Sequence, residues 1–169
     1  MYIHEKKKVA FIAHPRTASV AMVETLLGMG FSKIGSHHQF DEAWCLETTF
    51  SVVRNPFDMM VSWYYFKRRE EGLSFEDWLT IFLKDPPHYI KYGLFPGQHL
   101  CTYILWYENL QEEFDELMLE VGLPQTEIVK SNVSKRREGR NFMDVHTDVT
   151  LKMTERFFQV DIESFDYLR

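Results

Sequence analysis

Phe50-Ser51-Val52-Val53-Arg54-Asn55-Pro56-Phe57-Asp58-Met59-Met60-Val61-Ser62 holds a strand, a turn and a helix start within thirteen residues. Phe50 to Val53 is a short apolar run rich in β-branched side chains, the pattern of a strand buried on both faces. Arg54 stands at its carboxyl end. Asn55 then fits the N-cap, Pro56 the first helical position and Asp58 the N3 position. Met59, Met60, Val61, Trp63 and Tyr64 carry the helix to a polar end at Lys67-Arg68-Arg69. Ser62 lies two helical turns beyond Asn55 and shares its helix face with the turn. A guanidinium and a hydroxyl flanking one helix start can grip a phosphate. Capping accounts for Asn55, Pro56 and Asp58 but leaves Arg54 and Ser62 unexplained.

The same strand–turn–helix order occurs earlier. Val9 to Ala13 is a continuous apolar run stopped by Pro15, and Val20, Val23, Leu26 and Leu27 follow at helical spacing, with Gly28 and Gly30 as the stop. The intervening turn, His14-Pro15-Arg16-Thr17-Ala18-Ser19-Val20, offers a fixed cation, two hydroxyls and a helix N-terminus. That suits a phosphate or sulfate. It contains no glycine and is not a G-x-x-x-x-G-K-[ST] loop. The alternative is that Thr17 or Ser19 caps a helix and Arg16 is a solvated charge.

Further along, Lys33 to His38 reads as a short second strand and Ser74-x-x-Asp77 opens a helix that ends at Asp85-Pro86-Pro87. His88 to Gln98 reads as loop, Thr102 to Tyr107 as a strand, Gln111 to Val121 as a helix, and Thr147 starts a last helix running to Phe158. Trp78, Phe82, Phe114 and Phe158 read as core. Strands alternating with helices predict an α/β, P-loop-like three-layer fold with a central, mainly parallel sheet flanked by helices, and 169 residues predict a single domain, 1–169.

Composition sets limits on function. With 45% hydrophobic and 26% charged residues the chain is ordinary globular material rather than disordered. A formal net charge of -6 argues against nucleic acid as a partner, so an anionic ligand must be met by local cationic clusters. Two cysteines, Cys45 and Cys101, form no disulfide framework and no metal-ligand spacing. The apolar run after Lys6-Lys7-Lys8 ends within five residues, too short for a secretory segment, and no stretch approaches a membrane span. The expectation is a cytoplasmic protein with no membrane partner; oligomeric state is not legible.

Pro15-Arg16-Thr17-Ala18-Ser19 together with Arg54-Asn55-Pro56-Phe57-Asp58-x-x-x-Ser62 resembles the two nucleotide-binding signatures of sulfotransferases that use 3′-phosphoadenosine-5′-phosphosulfate (PAPS). Tyr107-Glu108-Asn109-Leu110, Asn132-x-Ser134-Lys135-Arg136 and Phe165-Asp166-Tyr167 follow in the family's order. The resemblance implies transfer of a sulfuryl group from PAPS to an acceptor hydroxyl, giving 3′-phosphoadenosine-5′-phosphate (PAP) and a sulfate ester, with no metal. It implies that Arg16, Thr17, Ala18, Ser19 and Val20 hold the 5′-phosphosulfate. Arg54 and Ser62 would hold the 3′-phosphate, with Ser134, Lys135 and Arg136 closing over it. Arg16 would also act catalytically, stabilising charge on the departing phosphate. In this reading Arg54→Ala weakens nucleotide binding with little loss of folding.

The first loop departs from the family pattern at Arg16, Ala18 and Val20, where lysine, glycine and a hydroxyl residue are usual. Ala18 would need a backbone that avoids conformations reserved for glycine. The general base is expected at His38, or else His37, of which only one can face the site from a strand. His4, His14, His88, His99 and His146 form no metal motif. Arg137 and Arg140 would meet an anionic acceptor, or lie in a solvated loop. The Arg-Asn-Pro turn is closer to carbohydrate sulfotransferases than to those of small phenols, so a sugar hydroxyl is the first expectation for the acceptor, chosen by the loop from Ser74 to Gln98. The alternatives are a non-catalytic protein binding PAP or another nucleotide, and a P-loop-like kinase.

Overall fold

In the computed structural model the described residues are 1–35, 48–67, 72–87, 90, 101–131 and 141–167. They fall into two compact units, each built from two stretches of chain: Met1–Val53 with Phe95–Asn132, and Arg54–Leu94 with Val133–Arg169.

The first unit is organised by a sheet. Its strands are β1 (Tyr2–His4), β2 (Val9–Ile12), β3 (Ser32–Lys33), β4 (Thr48–Val53) and β5 (Tyr103–Trp106), ordered β3-β1-β2-β4-β5. β2, β4 and β5 pair in parallel, with Phe11 opposite Phe50 and Val53 opposite Trp106. β1 runs antiparallel to both neighbours and is the one reversed strand among the described residues, so the sheet is mainly parallel. Alternation along β2 sends Val9 and Phe11 to one face and Ala10 and Ile12 to the other, and all four are buried, as the continuous apolar run requires.

Helices α1 (Ser19–Gly28) and α4 (Leu110–Glu120) pack on the face carrying Phe11, Phe50, Val52 and Leu105. α4 contributes Phe114, Leu117 and Met118, whose i, i+3, i+4 spacing puts them on one helix face. α1 corrects its expected face. Met22, Thr25 and Leu26 are buried, whereas Val20 and Leu27 are 44% and 49% exposed. The i, i+3, i+4 set that meets the sheet begins at Met22, which leaves positions 20 and 27 pointing outward. Thr25 is held by donating its hydroxyl to the Ala21 carbonyl, and it accepts the Val129 amide, pinning the segment after α4 along α1. α1 ends through Gly30 at φ 92, a left-handed turn open to glycine at no steric cost.

The second unit contains α2 (Pro56–Lys67), α3 (Phe75–Lys84), α5 (Asp148–Phe157) and α6 (Gln159–Ser164). α2 packs against α3 and α5. Its core is aromatic: Trp63 and Trp78 both meet Phe82, and Trp78 stacks on Phe75 at 6.0 Å. Of the four consecutive aromatics on α2, Trp63, Tyr64 and Tyr65 are buried and Phe66 is 60% exposed. The starts of α2, α3 and α5 read from the sequence are the ones observed. Ser74 accepts the Asp77 amide, and Thr147 forms a reciprocal capping box with Thr150. β1 and α6 were not anticipated.

Candidate nucleotide-binding site

β2 and β4 are adjacent parallel strands and therefore end on the same edge of the first unit's sheet. The turn after β2 is closed from within. Thr17, fully buried, donates its hydroxyl to the His14 carbonyl at 3.0 Å, tying the two ends of His14–Thr17. Arg16 and Ala18 both take positive φ, 67 and 59. Ala18 therefore sits in the left-handed region, at ψ 18, and does not avoid the conformation that favours glycine. It is the N-cap of α1 and supplies no side-chain cap; its carbonyl accepts the Met22 amide, the first bond of the helix. Helix geometry leaves the amides of the first turn, at Ser19, Val20 and Ala21, without intrahelical acceptors. Arg16 and Ser19 are half-buried beside them, and Val20 is exposed.

Arg54 follows β4 directly and opens the second unit. The Asn55 side-chain oxygen accepts the Phe57 amide at 2.9 Å and the Asp58 amide at 3.4 Å, an N-cap with Pro56 at the first helical position. Asp58 then reaches back one turn. Its Oδ2 receives Arg54 Nε at 2.7 Å and Nη2 at 2.6 Å. Arg54, Asp58 and Ser62 are all buried. The pair is charge-assisted and two-pronged, which orients the planar guanidinium.

His146 was not singled out from the sequence as a site residue. Its Nε2 lies 3.1 Å from the Phe57 carbonyl and its Nδ1 3.2 Å from Thr150 Oγ1. The ring stands edge-on to Phe57 and Phe75, at 5.7 and 4.9 Å. Burial pulls its pKa below the ordinary histidine value, opposed by the Phe57 carbonyl and the Asp58 charge. Nothing local in the sequence marks it, because Phe57 is 89 residues away.

The structure thus describes Arg16, Thr17, Ala18, Ser19 and Val20 within the first unit, and Arg54 and Ser62 within the second. His37, His38, Ser134, Lys135, Arg136, Arg137 and Arg140 lie outside the described residues. Among the described residues no group of three or more His, Cys, Asp or Glu side chains is placed to hold a metal ion. No described helix is long and apolar enough to cross a membrane.

The architecture is that of a P-loop-like α/β protein: a central, mainly parallel sheet with helices packed on it. Among solved structures it is similar to mouse sulfotransferase SULT7A1 complexed with PAP, with a TM-score of 0.60 and 11% sequence identity, over 94% of this chain and 84% of that one. The likeness shows a sulfotransferase fold. No family model matches the chain, and no curated protein matches it in sequence.

Proposed function

We propose that the chain is a single-domain sulfotransferase that moves a sulfuryl group from PAPS to an acceptor hydroxyl. The observation carrying this reading is that both signature turns leave parallel neighbouring strands at the same sheet edge, each running straight into a helix start. In such folds anions gather at that edge. The backbone supports it: positive φ at Arg16 and Ala18 curls the turn before α1, the kind of bend that aims successive amides at an anion. The SULT7A1 structure of the same fold is a PAP complex.

In this reading Arg16, the hydroxyls of Thr17 and Ser19, and the amides up to Val20 take the 5′-phosphosulfate, and Arg54 and Ser62 take the 3′-phosphate. Ser134, Lys135 and Arg136 add cationic and hydroxyl contacts to that phosphate. The acceptor oxygen attacks sulfur in line. The new O–S bond forms as the sulfur–phosphate oxygen bond breaks, the acceptor proton passes to His38 or His37, and the leaving phosphate carries the electron pair away as PAP. Arg16 stabilises that leaving charge and, as arginine, keeps its proton throughout. A donor of this kind needs no metal where side-chain cations and amides neutralise it. A sugar hydroxyl is the acceptor class favoured by the Arg54-Asn55-Pro56 turn, and a cytoplasmic setting fits a soluble donor.

The thermal unfolding midpoint with PAP, ATP, AMP or no ligand tests this. A ligand at a hundred times its Kd adds about 2.7 kcal/mol, a shift on the order of 2–4 °C at this size. A shift with PAP well above those with AMP and ATP is expected. A larger shift with ATP favours a kinase, PAP binding without transfer to any acceptor favours a nucleotide-binding protein, and no shift overturns the nucleotide site.

A further inference from the structure

The geometry points to His146 as a positioning residue for the Arg54–Asp58 pair. A carbonyl oxygen only accepts, so the contact between His146 Nε2 and the Phe57 carbonyl requires a proton on Nε2. That fixes the neutral tautomer with Nδ1 as an acceptor, and Thr150 Oγ1, at 3.2 Å, carries a hydroxyl proton to offer it. The same hydroxyl also lies 3.0 Å from the Thr147 carbonyl, and it accepts the Thr147 amide at 2.8 Å. His146 is thereby held by the first turn of α5 and itself holds the first turn of α2. The residue after Phe57 is Asp58, whose Oδ2 takes both nitrogens of Arg54. The chain of contacts runs from the α5 capping box through the imidazole to the Phe57 carbonyl, and from there along one peptide unit to the guanidinium's partner.

Ring packing makes the imidazole a wedge rather than a loose donor. Phe57 and Phe75 stand edge-on to it, from α2 and α3. Protonation would make the Nε2 contact to the Phe57 carbonyl charge-assisted and so shorter and stronger, and would turn Nδ1 into a donor, sending the Thr150 hydroxyl proton to the Thr147 carbonyl. The charged groups around it are Asp58 on α2, with Arg54 paired to it, Glu76 on α3, whose Oε2 accepts the Thr147 hydroxyl at 3.2 Å, and Asp144 and Asp148 beside it in the chain. Its functional weight rests on the reading of Arg54 as the 3′-phosphate ligand; the positioning does not.

The test follows the Arg54 Nε–H signal by NMR without nucleotide, and PAP affinity separately, in His146→Ala and His146→Gln. Glutamine keeps an N–H able to reach the Phe57 carbonyl. In His146→Ala the Arg54 Nε–H should shift and exchange about 10-fold faster, with PAP affinity falling about 10-fold, as for groups that orient a ligand indirectly. His146→Gln should restore both to within about 3-fold of wild type. In the wild-type protein the Arg54 Nε–H signal should co-titrate with the His146 ring, a readout that survives if the alanine variant fails to fold. An Arg54 signal unchanged in His146→Ala, or one that ignores the imidazole titration, overturns the proposal whatever PAP does. An Arg54 signal that follows His146 in a protein that binds no PAP upholds the positioning and removes the nucleotide reading.

Discussion

One carboxylate oxygen, Asp58 Oδ2, receives two nitrogens of Arg54, Nε and Nη2, at 2.7 and 2.6 Å, and both side chains are buried. Arg54 is therefore part of the fold as well as a candidate ligand, and this changes what its removal does. Arg54→Ala takes away the guanidinium that Asp58 faces, and breaking a buried pair from one side costs roughly 3 kcal/mol. The double variant Arg54→Ala/Asp58→Asn should recover part of that loss. Chemical denaturation of the two single variants and the double variant gives the coupling directly; additive losses would show the pair contributes little. PAP affinity should fall in both Arg54 variants, since only the stability term is repaired.

Asp161, on α6, is buried, its Oδ2 has no hydrogen-bond partner among the described residues, and burial raises its carboxyl to about 6. A carboxyl with a raised folded-state pKa favours the fold when protonated. Its contribution is present below about pH 4 and is lost as the pH rises through about 6. Asp161→Asn should be more stable than wild type at pH 7.5, by up to about 3 kcal/mol, with the gap closing by pH 4. A gap independent of pH would show that ionisation is not its cause.

His146 works in the opposite direction. Burial lowers its pKa, so the fold favours the neutral ring and stability falls as the pH drops below the unfolded value near 6.5. His146→Gln should flatten that acid limb, and Asp161→Asn should steepen it, because the two groups offset one another between about pH 4 and 6.5. Urea midpoints across this range for both variants are the measurement.

Thr154 is fully buried on α5 and its hydroxyl has no hydrogen-bond partner among the described residues. Valine has the same shape and no polar atom to desolvate. Thr154→Val should raise stability by about 1 kcal/mol, read as a higher denaturation midpoint at an unchanged slope. A loss would mean that the hydroxyl is hydrogen-bonded in solution.

Ala18 holds φ 59 at the entry to α1. A β-branched residue is a steric outlier there, so Ala18→Val should lose at least about 1 kcal/mol relative to Ala18→Gly, which accepts the conformation freely. Nucleotide affinity of the glycine variant should match or exceed wild type. Equal stability of the two variants would mean that the turn relaxes to negative φ.

Much of this fold was legible because its signals are local. Asn55, Ser74 and Thr147 each cap a helix with their own side chains, and each is followed within three residues by the amide it accepts. The apolar run at Val9 and the Arg54 turn placed the parallel strands and the edge where they end. What escaped depends on contacts with no local trace. β1 is only three residues, and it is a strand because Ile3 pairs with Ala10 on one side and Ser32 on the other. The outward turn of Val20 and Leu27 follows from which face α1 buries, the one carrying Met22, Thr25 and Leu26. His146 looks like any loop histidine until the fold brings it to Phe57.

Thr49 and Thr102 exchange three hydrogen bonds across 53 residues at the start of β4 and β5. A ribosome adding about 5–20 residues per second therefore exposes β4 for some seconds before its outer partner exists. The stretch Arg54–Leu94 emerges in that interval, and its companion stretch begins only at Val133. Neither unit is complete until its second stretch has been translated. The nascent chain must carry a half-built sheet and a set of aromatic helices together, which makes the interval before β5 emerges the window in which a chaperone, or a misplaced neighbour, would find this protein.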